Sequence, residues 1–231
     1  MDNQWRSKMQ KRYLTELEQS RLLSGALGVN CPLAQRDHHW MAALILTGMR
    51  IAEFSRLTVP MVQQALQTGW LVTPKSFCKG GRRSNEYLVT AALRRHLDAL
   101  VKLSHELGAG CVVPPQGQPL VWGRDIAGRA GPLSVRSYEA RVKLWAQHAG
   151  LDPRISPHWL RHTRGMNIMR RSRGDNPLKV AQIALNHSSL KSTGVYLQMS
   201  REEYQREIQA VDGGRLPKAV ARRLALQGVA A

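Results

Sequence analysis

The chain has 231 residues, with 34 Lys+Arg against 16 Asp+Glu, a formal net charge of +18, and 43% hydrophobic residues. That apolar fraction excludes a disordered basic tail, and the longest apolar run, near 41–46, falls far short of the ~20 residues that cross a bilayer. Cys31, Cys78 and Cys111 form no C-x-x-C pair, and the N-terminus has no apolar signal region. They read as reduced thiols of a cytosolic protein, not as a disulfide frame or a zinc site.

Residues 13–23 read as a short helix with Thr15 as its N-cap. Residues 34–46 carry Trp40, Met41, Leu44 and Ile45 at helical spacing. Thr47-Gly48-Met49 interrupts that helix, and a second short one is expected over 50–57. Residues 60–66 add another turn or two. Short β-type runs at 70–73 and 87–90 flank the basic loop Lys79-Gly80-Gly81-Arg82-Arg83, the pattern of a hairpin with a long tip. Leu93, Leu97, Leu100, Leu103 and Leu107 form one helical face. Residues 108–132, rich in Gly and Pro, read as irregular. A helix over 134–149 is closed by Gly150. Ser156-Pro157 and Asn176-Pro177 each mark a helix start. Helices are expected again after Ser188/Ser189, over 201–210 and over 217–226. The fold class is mainly α with a small β-hairpin or sheet.

The net charge creates a field that attracts polyanions: DNA, RNA or an anionic membrane. Its densest segment, 154–191, holds eight Lys/Arg (Arg154, Arg161, Arg164, Arg170, Arg171, Arg173, Lys179, Lys191) and one acid, Asp175. The segment also has helical apolar periodicity, so its cations sit on a folded surface. Nucleic acid is the favoured partner, with no sequence specificity implied.

Three stretches carry chemistry. In Ser156-Pro157-His158-Trp159-Leu160-Arg161-His162, His158 and Arg161 share a helix face in the first turn, where free N–H groups favour phosphate. A metal reading through His158 and His162 lacks the H-E-x-x-H glutamate and a third ligand. In Thr47-Gly48-Met49-Arg50-Ile51-Ala52-Glu53, an arginine follows a glycine break, and Glu53 stands one turn on to hold it. The third is Leu185-Asn186-His187-Ser188-Ser189, with Tyr196 nine residues after the histidine. Taken singly, each has an ordinary structural reading: a core histidine, a common helix start, a packed tyrosine.

In order, Thr-Gly-x-Arg-x-x-Glu, the hairpin Lys-Gly-Gly-Arg, His-x-x-Arg-His, Leu-x-His-Ser-Ser and the tyrosine resemble the tyrosine recombinase (phage integrase) family, over about 13–199. The resemblance implies roles. Tyr196 would be the nucleophile, forming a 3′-phosphotyrosyl link and freeing a 5′-hydroxyl. Arg50 and Arg161 would clamp the non-bridging phosphate oxygens. His158 would help take the tyrosine proton, His187 would hydrogen-bond the phosphate, and Lys79 would protonate the leaving 5′-oxygen. Glu53 would support the site. Lys75 is the rival of Lys79, and Lys75, Arg82, Arg83 and Arg164 are expected on DNA. A tyrosine of pKa ~10 needs positive charge and a base to attack at pH 7, and two arginines, a lysine and two histidines supply both. Neither a metal nor another cofactor is implied.

Asn186 stands where the family usually has glycine, a departure that touches a turn more than the chemistry. The catalytic pattern begins almost at once, similar to catalytic-domain-only members such as fimbrial phase-switch invertases. The expected organisation is an extension over 1–12, a catalytic domain over 13–212 and a helical tail over 213–231 that either packs on the chain's own core or, the favoured reading, docks on a neighbour. The expected partners are double-stranded DNA, a homo-tetramer holding two duplexes, and an accessory DNA-bending protein or partner recombinase, in the cytoplasm at the nucleoid. A non-catalytic DNA-binding relative and a type IB topoisomerase-like nicking enzyme are the competing readings.

Overall fold

The computed structural model describes residues 12–78, 81, 83–113, 117–124, 128–173 and 176–186. The expected helices after Ser188/Ser189, over 201–210 and over 217–226 lie outside the described residues.

Helix α1 (Glu16–Leu27) starts on a capping box in which Thr15 accepts from the Glu18 N–H and Glu18 reaches back to the Thr15 N–H at 2.7 Å. Helix α2 (Pro32–Thr47) follows. The sequence marks one apolar stripe on it, but the structure buries Trp40 through Ile45 without a break. A helix enclosed on nearly all sides is the centre of a domain rather than a surface element. The helix ends at Gly48, whose φ of 66° is left-handed and whose N–H bonds the Leu44 carbonyl.

Two short helices follow, α3 (Ile51–Phe54) and α4 (Val59–Thr68). Strands β1 (Trp70–Thr73) and β2 (Asn85–Leu88) pair antiparallel, with Leu71 opposite Tyr87 and Thr73 opposite Asn85. The second strand lies two residues earlier than its expected 87–90. Val89 already bonds the Gly69 carbonyl, and the Thr90 hydroxyl caps the next helix by accepting from the Leu93 N–H. A two-residue shift keeps each side chain on its face, so Leu71, Thr73, Asn85 and Tyr87 all point inward.

Helix α5 (Ala91–Leu107) buries Leu93, Leu97, Leu100 and Leu103 along the expected face, and α2 makes its most extensive contact with it. Each fully buried leucine contributes about 1.5–3 kcal/mol of transfer free energy. Where the helices meet, His39 Nδ1 lies 2.9 Å from His96 Nδ1. Burial first, and then neighbouring positive groups, hold both rings at about 4, so they are neutral at pH 7.

The 108–132 segment is not wholly irregular. It contains a second hairpin, β3 (Trp122–Arg124) with β4 (Ala130–Pro132). Its glycines and prolines show no two-residue alternation, so periodicity cannot reveal it. Long-range contact fixes it instead: Trp122 is buried, and a Cβ on Gly108 would lie 2.5 Å from its ring.

Helices α6 (Val135–His148), α7 (Pro157–Arg171) and α8 (Pro177–Ala184) complete the described fold. The Asp37 carboxylate, fully buried, joins α2 to α6. Oδ1 accepts from Arg36 and from Trp40 Nε1 at 2.9 Å, and Oδ2 accepts from Arg141 and from Trp145 Nε1 at 2.8 Å. Two arginines and two indoles satisfy a charge that would otherwise be costly to bury.

Candidate active site

The site forms where the end of α2, the start of α7, the end of α8 and the inner face of β2 converge. Gly48 lets the chain turn sharply after α2, and Arg50 becomes the N-cap of α3. Its guanidinium donates to Glu53 Oε1 at 3.0 Å, one helical turn on, as the spacing predicts. The arginine side chain stays one-third exposed while the Glu53 side chain is 1% exposed.

Sequence reasoning missed what holds Glu53. Its other oxygen, Oε2, accepts from the Tyr87 hydroxyl at 2.7 Å and from Asn85 Nδ2 at 3.2 Å. Both donors sit on the inward face of β2. The alternation in Asn85-Glu86-Tyr87-Leu88 contains this signal, but only the pairing shows which face turns in. Burial and the adjacent Glu53 carboxylate push the Tyr87 phenol well above its ordinary range, so it remains a hydrogen-bond donor.

Arg161 sits in the second turn of α7 and is 4% exposed. It donates to the Gly48 carbonyl through one terminal nitrogen and to the Leu185 carbonyl at 2.6 Å through the other. One guanidinium thus ties the segment leading into Arg50 to the segment leading into His187. These acceptors are main-chain atoms, so no residue type announces them.

His158 lies one turn before Arg161, with its ring on the surface. Its Nε2 is 2.8 Å from Nε2 of His162, within hydrogen-bond range, so one ring donates and the other accepts according to their tautomers. Partial desolvation of the ring, then Arg161, Arg12 and Arg50, pull its pKa below the ordinary histidine value of 6.5. Three cations thus lie near enough to act on this ring.

The hairpin closes the site from a third side. Arg83 donates to the Asn186 carbonyl at 3.2 Å, and Asn186 Nδ2 donates to the Glu86 carbonyl at 3.4 Å. Asn186 has a φ of 50°, left-handed backbone. That explains why glycine is the easier residue here and why asparagine is an acceptable one. Lys75 is exposed in a 3-10 turn over Lys75–Phe77, which Arg56 steadies by donating to the Ser76 carbonyl at 2.9 Å. Arg164 is not a free surface cation. Its stem packs on Gly48, its Nε is buried without a hydrogen-bond partner, and burial followed by Arg171 lowers its pKa.

Of the expected site residues, Arg50, Glu53, His158 and Arg161 therefore meet, with Arg83 and Arg164 beside them. Lys79, Arg82, His187 and Tyr196 lie outside the described residues. The arrangement offers two arginines, one held by a buried carboxylate and one by main-chain carbonyls, next to an imidazole biased toward neutrality. Such a cluster suits an anionic group that gains charge as it reacts.

Residues 12–203 match the phage integrase family. The chain is 28% identical over 196 residues to tyrosine recombinase XerD of Shewanella oneidensis, covering 83% of this chain and 58% of that protein. It is 31% identical over 199 residues to XerD of Xanthomonas campestris, covering 83% and 56%. The chain thus spans somewhat over half the length of these curated relatives. Among solved structures, the XerH site-specific recombinase bound to a palindromic difH substrate superposes with a TM-score of 0.66 at 18% identity, covering 91% of this chain and 56% of that one. XerA recombinase gives 0.65 at 20% identity, covering 90% and 66%. These likenesses fix the fold as that of a tyrosine recombinase catalytic domain, and with the match over 12–203 they make this chain a member of the phage integrase family.

Proposed function

We propose that this chain is a site-specific DNA recombinase that cuts and rejoins strands through a covalent tyrosine intermediate. The observation that carries the reading is Arg161 bonded to both the Gly48 and Leu185 carbonyls. That contact draws three motifs, more than a hundred residues apart at the extremes, to one place in the fold.

In the proposed step the Tyr196 oxygen attacks the scissile phosphorus. The new O–P bond forms as the bond to the 5′-oxygen breaks. His158 accepts the phenolic proton, and Lys79 gives a proton to the departing 5′-oxygen. Arg50, Arg161 and His187 hold the non-bridging oxygens as charge builds on them. Attack by a 5′-hydroxyl reverses the sequence and releases Tyr196. The phosphotyrosyl bond conserves the phosphodiester energy, so ligation needs no nucleotide cofactor. Lys75, Arg82 and Arg83 add charge along the DNA, whereas Arg164, packed on Gly48, supports the site from beneath. The working assembly is four copies on two duplexes, aided by a partner recombinase or a DNA-bending protein.

The test is a nicked duplex that traps the cleaved state. The wild-type chain should leave a protein–DNA adduct that survives denaturant, and Tyr196→Phe should leave none. An adduct that persists in that variant overturns the assignment of Tyr196. A wild-type chain that binds DNA and forms no adduct on any substrate is instead an accessory DNA-binding protein.

A further inference from the structure

A second cluster of chemistry-bearing side chains lies midway along α2, away from the arginines. His38 and His39 on α2 and His96 on α5 each offer a ring nitrogen, and these nitrogens lie within 4.8 Å of one another. His39 lies about 12 Å along α2 from Thr47, where the helix ends ahead of Arg50, so this cluster is separate from the site above. All three residues are half-buried.

We infer that His38, His39 and His96 form a binding site for a divalent cation of the zinc class, which joins α2 to α5.

The geometry of the rings carries this. Their centroids stand 4.9, 5.6 and 5.2 Å apart, and no pair is stacked face to face. Three imidazoles bound tetrahedrally at Zn–N distances of about 2.0–2.1 Å would set their centroids roughly 5 Å apart. The His39 and His96 Nδ1 atoms, 2.9 Å apart, need to open by only a few tenths of an ångström to admit the ion. Between two nitrogens that close, only one proton fits, so at least one lone pair already points into the cluster.

His38 supplies a second, independent observation. Its Nδ1 lies 2.9 Å from the Leu23 carbonyl, an acceptor, so Nδ1 carries a proton and Nε2 is the nitrogen left to bind an ion. A histidine that gives its other N–H to a carbonyl is the usual arrangement around a bound metal, because that contact fixes both tautomer and ring orientation. Adjacent residues on a helix do not normally share a face, and His96 in the neighbouring helix is what completes the set. Three imidazole donors leave a fourth position for water. Nitrogen donors in this number favour zinc, nickel or copper over magnesium or calcium.

The experiment uses the whole chain without a polyhistidine tag, stripped with chelator and dialysed against Zn2+. The wild-type chain should take up one ion, and its melting temperature should rise by roughly 5 °C at a hundredfold excess over Kd. His39→Asn and His96→Gln should each weaken uptake at least about tenfold. His162→Gln, which alters the two-histidine pair on α7, should not. X-ray absorption of the zinc-loaded wild type reads the donors without any substitution and should show three imidazoles. No saturable uptake, binding lost in His162→Gln but kept in His39→Asn, or thiolate sulfur among the donors would each overturn the site.

Discussion

The Tyr87 hydroxyl donates to Glu53 Oε2 at 2.7 Å while Glu53 Oε1 holds Arg50 at 3.0 Å. A buried carboxylate therefore links the inner face of the hairpin to a partly exposed arginine. Tyr87→Phe removes one of three donors to this charge. It should destabilise the fold by about 1.5–3 kcal/mol, measured by urea unfolding. Glu53→Gln removes the counter-charge itself and should reduce cleavage more than Tyr87→Phe does. The reverse order in single-turnover cleavage would show that Glu53 does not position Arg50.

Arg161 bridges two main-chain carbonyls in different segments. A lysine keeps the charge and cannot reach both acceptors, because its ammonium is a single point where the guanidinium is a fork. Arg161→Lys should lower the cleavage rate about 100-fold or more. DNA affinity in a filter-binding assay should change by less than about threefold, since the chain carries 34 Lys and Arg in all and the substitution alters only one of them. Arg161→Ala should abolish cleavage with the same modest effect on binding. Parallel losses of binding and cleavage would contradict this division of labour.

Gly48 combines a φ of +66° with close packing, and a Cβ there would lie 2.5 Å from Leu185 Cδ2. Strain and overpacking should make Gly48→Ala unstable by about 2–4 kcal/mol in thermal or chemical unfolding. Because Gly48 also presents its carbonyl to Arg161, cleavage should fall even at temperatures where the variant is fully folded.

His158 is held below the ordinary histidine pKa of 6.5 by desolvation and by Arg161, Arg12 and Arg50. A histidine depressed in the folded state binds protons less readily than in the unfolded chain. Its contribution to stability is therefore full above about pH 6.5 and is lost as the pH falls toward the folded value. The neutral base likewise persists below pH 6.5, so the acid limb of the cleavage rate should fall on the low side of that value. The pH profile of His158→Gln should lose that limb. An unchanged profile would assign the proton to another group.

Lys79 and Lys75 compete for the role of proton donor. A substrate with sulfur at the 5′ bridging position releases a thiolate that needs no proton. That substrate should restore cleavage to Lys79→Ala and bring no gain to Lys75→Ala, measured as the ratio of rates on the sulfur and oxygen substrates.

Local chemistry is written plainly in the chain. Thr15, Gly48, Ser156-Pro157 and Asn176-Pro177 mark helix ends because caps and turns depend on residues a few positions apart. The leucine face of α5 follows from a 3.6-residue period, and the order of the motifs identifies the family. Long-range placement is what the sequence leaves open. The inward turn of Asn85 and Tyr87 depends on strand register, and the hairpin at Trp122 depends on Gly108 making room for an indole. The acceptors of Arg161 are backbone oxygens, identical in every residue type. His96 joins His38 and His39 across more than fifty residues only because α5 lies on α2. The sequence alone thus determined which groups could do chemistry, because reactivity belongs to side chains. The tertiary structure alone decided which of them meet, because packing brings distant segments to hydrogen-bond range.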